Sequence, residues 1–161
     1  MNPVSPCDLM ITHATTHDII DICGCDDELP LHPERREEIK RALSHNSIWI
    51  ARAPGPGEMQ VVGYTICQPA AFFGHAYLSL VMTHPSWRHQ GVAQQLIERV
   101  LEQCDLGKSR KLFCTVRENN LPMQRLLEKL GFQRSGSVQH VHANEEAELV
   151  FHRLYEGRKE E

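Results

Sequence analysis

Arg88, His89, Gln90, Gly91, Val92 and Ala93 form the stretch of this 161-residue chain whose types and spacing best suit chemistry. Two cationic or titratable side chains precede a glycine and a small residue, and the chemistry they suit is the binding of a diphosphate. The first turn of a helix leaves its amide N–H groups without partners and carries roughly half a positive charge from the aligned peptide dipoles. Gly91 and Ala93 keep side-chain bulk off that backbone, so phosphate oxygens can come close. The Arg-x-x-Gly-x-Ala spacing differs from the dinucleotide fingerprint, which needs three glycines, and from the P-loop, which ends in Gly-Lys-Ser/Thr.

Two elements must hold that turn. Ala76 to Met82 is an apolar run of strand length that leads through Thr83, His84 and Pro85 into the turn. After it, Val92, Ala93, Leu96, Ile97, Val100, Leu101 and Cys104 recur at the spacing of one buried helix face, with Gln94, Gln95, Glu98, Arg99 and Glu102 opposite. A second block, Asn120 to Phe132, also reads as a helix. Asn119 or Asn120 caps it, Pro122 sits in its first turn, Leu126, Leu127 and Leu130 make its apolar stripe, and Gly131 ends it before Phe132 opens a strand.

At these two blocks the chain resembles the GNAT superfamily of acyl-CoA-dependent N-acetyltransferases. Val81 to Ala93 is similar to that family's strand, Pro, [Q/R]-x-x-G-x-[G/A] segment, and Asn120 to Phe132 to its Asn-x-x-Ala-x-x-Leu-Tyr-Glu-Lys-x-Gly-Phe segment. The resemblance implies that acetyl-CoA is the co-substrate, with Arg88, His89, Gln90, Gly91, Val92 and Ala93 around its diphosphate. Backbone amides of Val81, Met82 and Thr83 would bind pantetheine and polarise the thioester carbonyl, as an oxyanion hole does. Asn120 would contact the cofactor near the pantetheine or the sulfur. The implied reaction is direct attack of an amine on acetyl-CoA in one ternary complex.

The chain also departs from the family pattern. The tyrosine that commonly returns a proton to the departing thiolate is replaced by Leu127, and the carboxylates found in some members near Ser79 or at Thr115 are absent. Ser79 and His140 are the catalytic candidates that remain. His140 and His142 would share one face of the strand expected over Phe132 to His142, and histidine titrates in the useful range. Tyr64, Tyr77 and Ser79 could relay protons through water, with packed aromatics the plainer reading of the tyrosines. Asp26, Asp27 and Glu28 read either as a solvated loop or as a lure for a cationic amine. His13, His17, Cys23 and Cys25 do not have structural zinc spacing, and no metal is expected. Trp87 should anchor the turn by packing, with His84 exposed. A catalytically weak acyl-CoA sensor or partner subunit is the alternative that Leu127 keeps open.

Bulk properties fit this reading. A net charge of −4 argues against nucleic-acid or anionic-membrane partners and suits a cationic substrate. No apolar run reaches membrane-spanning length, and Met1 to Asp8 lacks the basic and apolar regions of a signal peptide, so a cytoplasmic protein is expected. Six cysteines, Cys67, Cys104 and Cys114 among them at apolar-facing positions, are expected as reduced thiols. The length suits one domain over residues 1–161. The predicted order is β-α-α-β-β-β-α-β-α-β-β, a mixed α/β fold and also that of a GNAT domain, with a splayed central strand pair as the resemblance implies. Monomer and homodimer both fit, because edge strands invite pairing without requiring it.

Overall fold

The computed structural model describes residues 9–103 and 110–154; Cys7, Cys104 and the charged tail from Glu156 lie outside them. Seven strands and four helices follow the predicted order. They are β1 (Met10–His13), α1 (Ile19–Cys25), α2 (Glu34–Ser44), β2 (Ile48–Pro54), β3 (Met59–Phe72), β4 (His75–Thr83), α3 (Val92–Gln103), β5 (Lys111–Arg117), α4 (Leu121–Lys129), β6 (Gln133–Val138) and β7 (Glu148–Leu154). The hydrogen-bonded strand order is β1-β2-β3-β4-β5-β7-β6, giving the expected mixed α/β fold. The described residues fall into two compact units, 9–67 with 80–103, and 68–79 with 110–154.

In the first unit β1, β2 and β3 form an antiparallel ladder, with Ile11 opposite Ala51 and Ile50 opposite Tyr64. Ile22 from α1 and Ile39 from α2 are fully buried against Ile48, Ile50, Tyr64 and Ile66. The charged helix α2 buries only Ile39, Ala42 and Leu43, the narrow stripe its sequence predicts. Helix α3 buries Val92, Leu96, Ile97, Val100 and Leu101 at three-and-four spacing.

Close approach of α3 depends on Gly63. A Cβ there would lie 2.8 Å from the Met82 carbonyl oxygen and 2.8 Å from Val92 Cγ1, distances that no packing relaxes without moving backbone. Gly63→Ala is therefore expected to cost about 1–3 kcal/mol by overpacking. At roughly 2–4 °C per kcal/mol for a chain of this size, a thermal melt should fall by roughly 2–12 °C. An unchanged midpoint would show that β3 and α3 can separate freely.

In the second unit β5 pairs with β7 along all seven of its residues, Lys111 opposite Leu154 through Arg117 opposite Glu148. The parallel ladder between β4 and β5 is only three pairs long, Ala76 with Leu112 to Leu78 with Cys114. The β3–β4 connection is a two-residue turn with φ of 49° at Phe73 and 81° at Gly74, the twist that suits a tight hairpin. Helix α4 starts where Asn120 accepts the Met123 N–H at 3.3 Å and ends before Gly131, whose φ is 83°.

Strand β6 is shorter than its sequence predicts, ending at Val138 opposite Glu148 rather than reaching His142. His140 and His142 are thus loop residues and do not share a strand face; His140 has a φ of 60°, outside the extended region. Four cysteines, Cys23, Cys25, Cys67 and Cys114, are free thiols. Burial pushes Cys25 and Cys114 up to about 12, with Asp26 adding to the first and Glu148 to the second. No helix among the described residues is long and apolar enough to cross a membrane.

Candidate active site

The predicted anion turn lies between β4 and α3 and takes its shape from three local devices. Pro85 to Trp87 make a single 3₁₀ turn, capped because His84 Nδ1 accepts the Ser86 N–H at 3.1 Å. Gln90 Nε2 donates back to the Ser86 carbonyl at 3.1 Å. Two residues within three positions then have positive φ, His89 at 62° and Gly91 at 81°. Such turns aim successive backbone N–H groups to one side, and a non-glycine residue held there stores strain of the kind that marks binding loops. A Cβ on Gly91 would meet nothing within 4 Å, so the space beside Gly91 is open. Arg88, His89, Gln90 and Gly91 are exposed, Val92 is buried and Ala93 lies between. Trp87 is half-buried, and so is His84, which spends one ring nitrogen on its cap.

The strand leading into the turn is tied to β3. Thr65, fully buried on β3, donates its hydroxyl to the Leu80 carbonyl at 2.7 Å, and the His84 N–H is bound by the Val62 carbonyl at 2.8 Å. Met82 is buried, while Val81 and Thr83 keep partial exposure.

The acidic run Asp26-Asp27-Glu28 is neither free nor simply solvated. The Asp26 side chain is 0% exposed and accepts from Arg35 Nη1 at 3.0 Å, from the Glu28 N–H at 3.0 Å and from the Tyr64 hydroxyl at 2.6 Å. Arg35 also binds Glu28 at 3.3 Å and places Nη1 3.8 Å from Met82 Sδ. Desolvation and the Asp26 carboxylate raise Tyr64 far above the ordinary tyrosine range, so it stays protonated. Fully buried and donating to Asp26, Tyr64 fits the plainer reading of its sequence position, a packed aromatic. Asp27 pairs with Arg88 at 2.7 Å. The contacts of Asp26 with Arg35 and Tyr64, and of Asp27 with Arg88, are not visible as a motif, because partners 9 to 61 residues apart meet only in the fold.

In the same unit a cavity of about 470 Å³ opens between α1 and the β2–β3 turn. Asp21, Glu58 and His84 are among the residues on its walls, a lining that favours a cationic ligand.

The second unit carries the remaining candidates. Tyr77 and Thr115 hydroxyls are 2.7 Å apart on adjacent strands. Ser79 follows Tyr77 by two residues and is half-buried. Leu127, at the position where the family commonly has tyrosine, is 0% exposed and packs as core. His140 is 79% exposed and its Nδ1 contacts the Glu145 carboxylate, also exposed. His142 is 22% exposed and its Nε2 lies 2.6 Å from Glu148 Oε2, itself 18% exposed. His13, part of the zinc-like sequence cluster, lies against Trp49 with ring centroids 3.5 Å apart and the rings tilted by 34°. Among the described residues no group of three or more His, Cys, Asp or Glu side chains is arranged to hold a metal ion.

A family model described as the acetyltransferase (GNAT) family matches residues 16–132, which include both the turn and α4. The chain belongs to the GNAT acetyltransferase family. A GNAT-family acetyltransferase structure from Bacillus cereus is similar at 25% identity, with a TM-score of 0.76 over 91% of this chain and 96% of that one. The ribosomal-protein-S18-alanine N-acetyltransferase of Escherichia coli shares the fold at 16% identity, with a TM-score of 0.74 over 91% and 94% of the two chains. So does a putative acetyltransferase from Salmonella typhimurium solved with acetyl-CoA, at 14% identity and a TM-score of 0.74 over 94% and 96%. No curated protein matches the sequence. The GNAT fold thus accounts for the element order.

Proposed function

We propose that this GNAT protein transfers an acetyl group from acetyl-CoA to a primary amine of a small molecule or peptide, by direct attack within a ternary complex. The observation that carries the reading is the β4–α3 turn, where His89 and Gly91 both hold positive φ and the space beside Gly91 is open. Arg88, His89, Gln90, Gly91, Val92 and Ala93 would receive the diphosphate. The three-pair ladder that ends at Leu78 on β4 supports amides of Val81, Met82 and Thr83 as partners of pantetheine and of the thioester oxygen. Asn120 uses its side-chain oxygen as the α4 cap, so its NH2 is the group to offer the cofactor. Calorimetric titration with coenzyme A tests the reading, and no heat at millimolar cofactor would overturn it.

An ammonium with a pKa near 10.4 must lose its proton before it attacks, which at neutral pH costs about 4–5 kcal/mol, so a base has work to do. Of the two sequence-predicted histidines, the His142–Glu148 pair suits this better than His140. A half-buried carboxylate fixes the ring, whereas the His140–Glu145 contact is open to water. Ser79, two residues along β4 from Tyr77, is the candidate for passing a proton on. His142→Ala is expected to lower turnover by about 100-fold with cofactor affinity unchanged, and His140→Ala by only a few-fold. Equal, small effects would remove both from the mechanism.

Buried Leu127 supports a second reading, an acyl-CoA-binding sensor or partner subunit without efficient proton return to the thiolate. Release of free thiol from acetyl-CoA across a panel of amines separates the two. Cofactor binding with silence toward every amine favours the sensor.

A further inference from the structure

The arginine assigned to the diphosphate already has a partner. Arg88 Nη2 donates to Asp27 Oδ1 at 2.7 Å, and both side chains are 42% exposed. An ion pair that exposed contributes little, because water and salt compete for both members. A diphosphate offers the same guanidinium more charge and bidentate geometry, with backbone N–H groups of the turn adding to the grip. The contest for Arg88 therefore goes to the cofactor.

What happens to Asp27 afterwards follows from its neighbour. The Asp26 carboxylate is fixed by Tyr64 on β3, by Arg35 on α2 and by the Glu28 amide. The backbone at Asp27 consequently cannot drift off when Arg88 leaves. Asp26 cannot take its place, since its carboxylate is buried and held by Arg35 and Tyr64.

We propose that Asp27 competes with the cofactor for Arg88: before the cofactor binds it holds the guanidinium beside the turn, and the diphosphate displaces it, leaving an unpaired carboxylate on the segment between α1 and α2. The proposal rests on the diphosphate reading of the turn. Asp27 thereby sets the affinity for cofactor, and cofactor binding changes the charge that this segment presents.

Titration of the full chain with coenzyme A, for the parent, Asp27→Asn, Arg88→Gln and the double variant, tests this. Asp27→Asn is expected to tighten coenzyme A by about 5-fold, since the amide releases Arg88 more readily. In the Arg88→Gln background the same change should have no effect. A loss of affinity in Asp27→Asn, or an equal gain in both backgrounds, overturns the proposal. As a second readout, carbodiimide coupling of glycinamide to Asp27, followed by peptide mass, should rise at least about 3-fold with coenzyme A relative to coupling at Asp21. No rise overturns the displacement. If the parent itself gives no heat with coenzyme A, the proposed function fails as well; if the parent binds and the variants behave alike, only the role of Asp27 fails.

Discussion

Replacing Gly91 with leucine is expected to weaken coenzyme A binding by at least about 100-fold, or about 2.7 kcal/mol, while leaving a folded protein. Two effects act together. At a φ of 81° a side chain costs about 1–2 kcal/mol in the left-handed region, so the turn shifts to relieve it. The Cβ meets no protein atom within 4 Å, so the leucine side chain leaves the core undisturbed and is expected to crowd the cofactor at the turn. Gly74 supplies the control. It has the same φ of 81° and equally empty surroundings, but it sits in the β3–β4 hairpin. Gly74→Leu should lower the melting temperature by a similar few degrees and leave calorimetric affinity alone. Equal affinities in the two variants would detach the turn from the cofactor.

The second large effect is on stability. Asp26→Ala removes the acceptor of a fully buried tyrosine hydroxyl and the main partner of a mostly buried arginine in one step. Breaking a buried ion pair from one side costs about 3–5 kcal/mol, and an orphaned buried hydroxyl costs about 1–3 kcal/mol within that total. Arg35 keeps Glu28 at 3.3 Å, which favours the lower end. A fall of roughly 6–12 °C in the thermal midpoint follows. Tyr64→Phe leaves the Arg35–Asp26 pair intact and should cost only about a third as much. Should Asp26→Ala melt within 2 °C of the parent, the cluster would not be what fixes the segment between α1 and α2.

Sequence reveals most where the signal is local. Arg88 to Ala93 and Asn120 to Phe132 were legible because glycine, proline and capping residues act on their immediate neighbours, and periodicity runs within one helix. Sequence predicted a strand to His142, but β6 is exposed along all six residues, so no alternation of burial marks its end. β3 continues to Phe72 past Pro69, a residue that reads as a strand breaker and is tolerated here where the strand turns outward to solvent. The Asp26 cluster was invisible for a different reason. Carboxylates in a charged run look alike in sequence, and only the fold decides that one is buried against Tyr64, the next touches Arg88 and the third shares Arg35. Gly63 likewise gave no turn signal, since its role is the room it leaves for α3.

The thiols have a practical bearing on how turnover is followed. With Cys25 and Cys114 held protonated to about 12, neither presents a thiolate at neutral pH, and buried Cys67 is shielded from bulky reagents. A chromogenic disulfide added to detect liberated coenzyme A would be consumed by the product long before it reached those three side chains. Half-exposed Cys23 would then set the drift of the blank among the described residues, and its serine variant would give the cleaner progress curve.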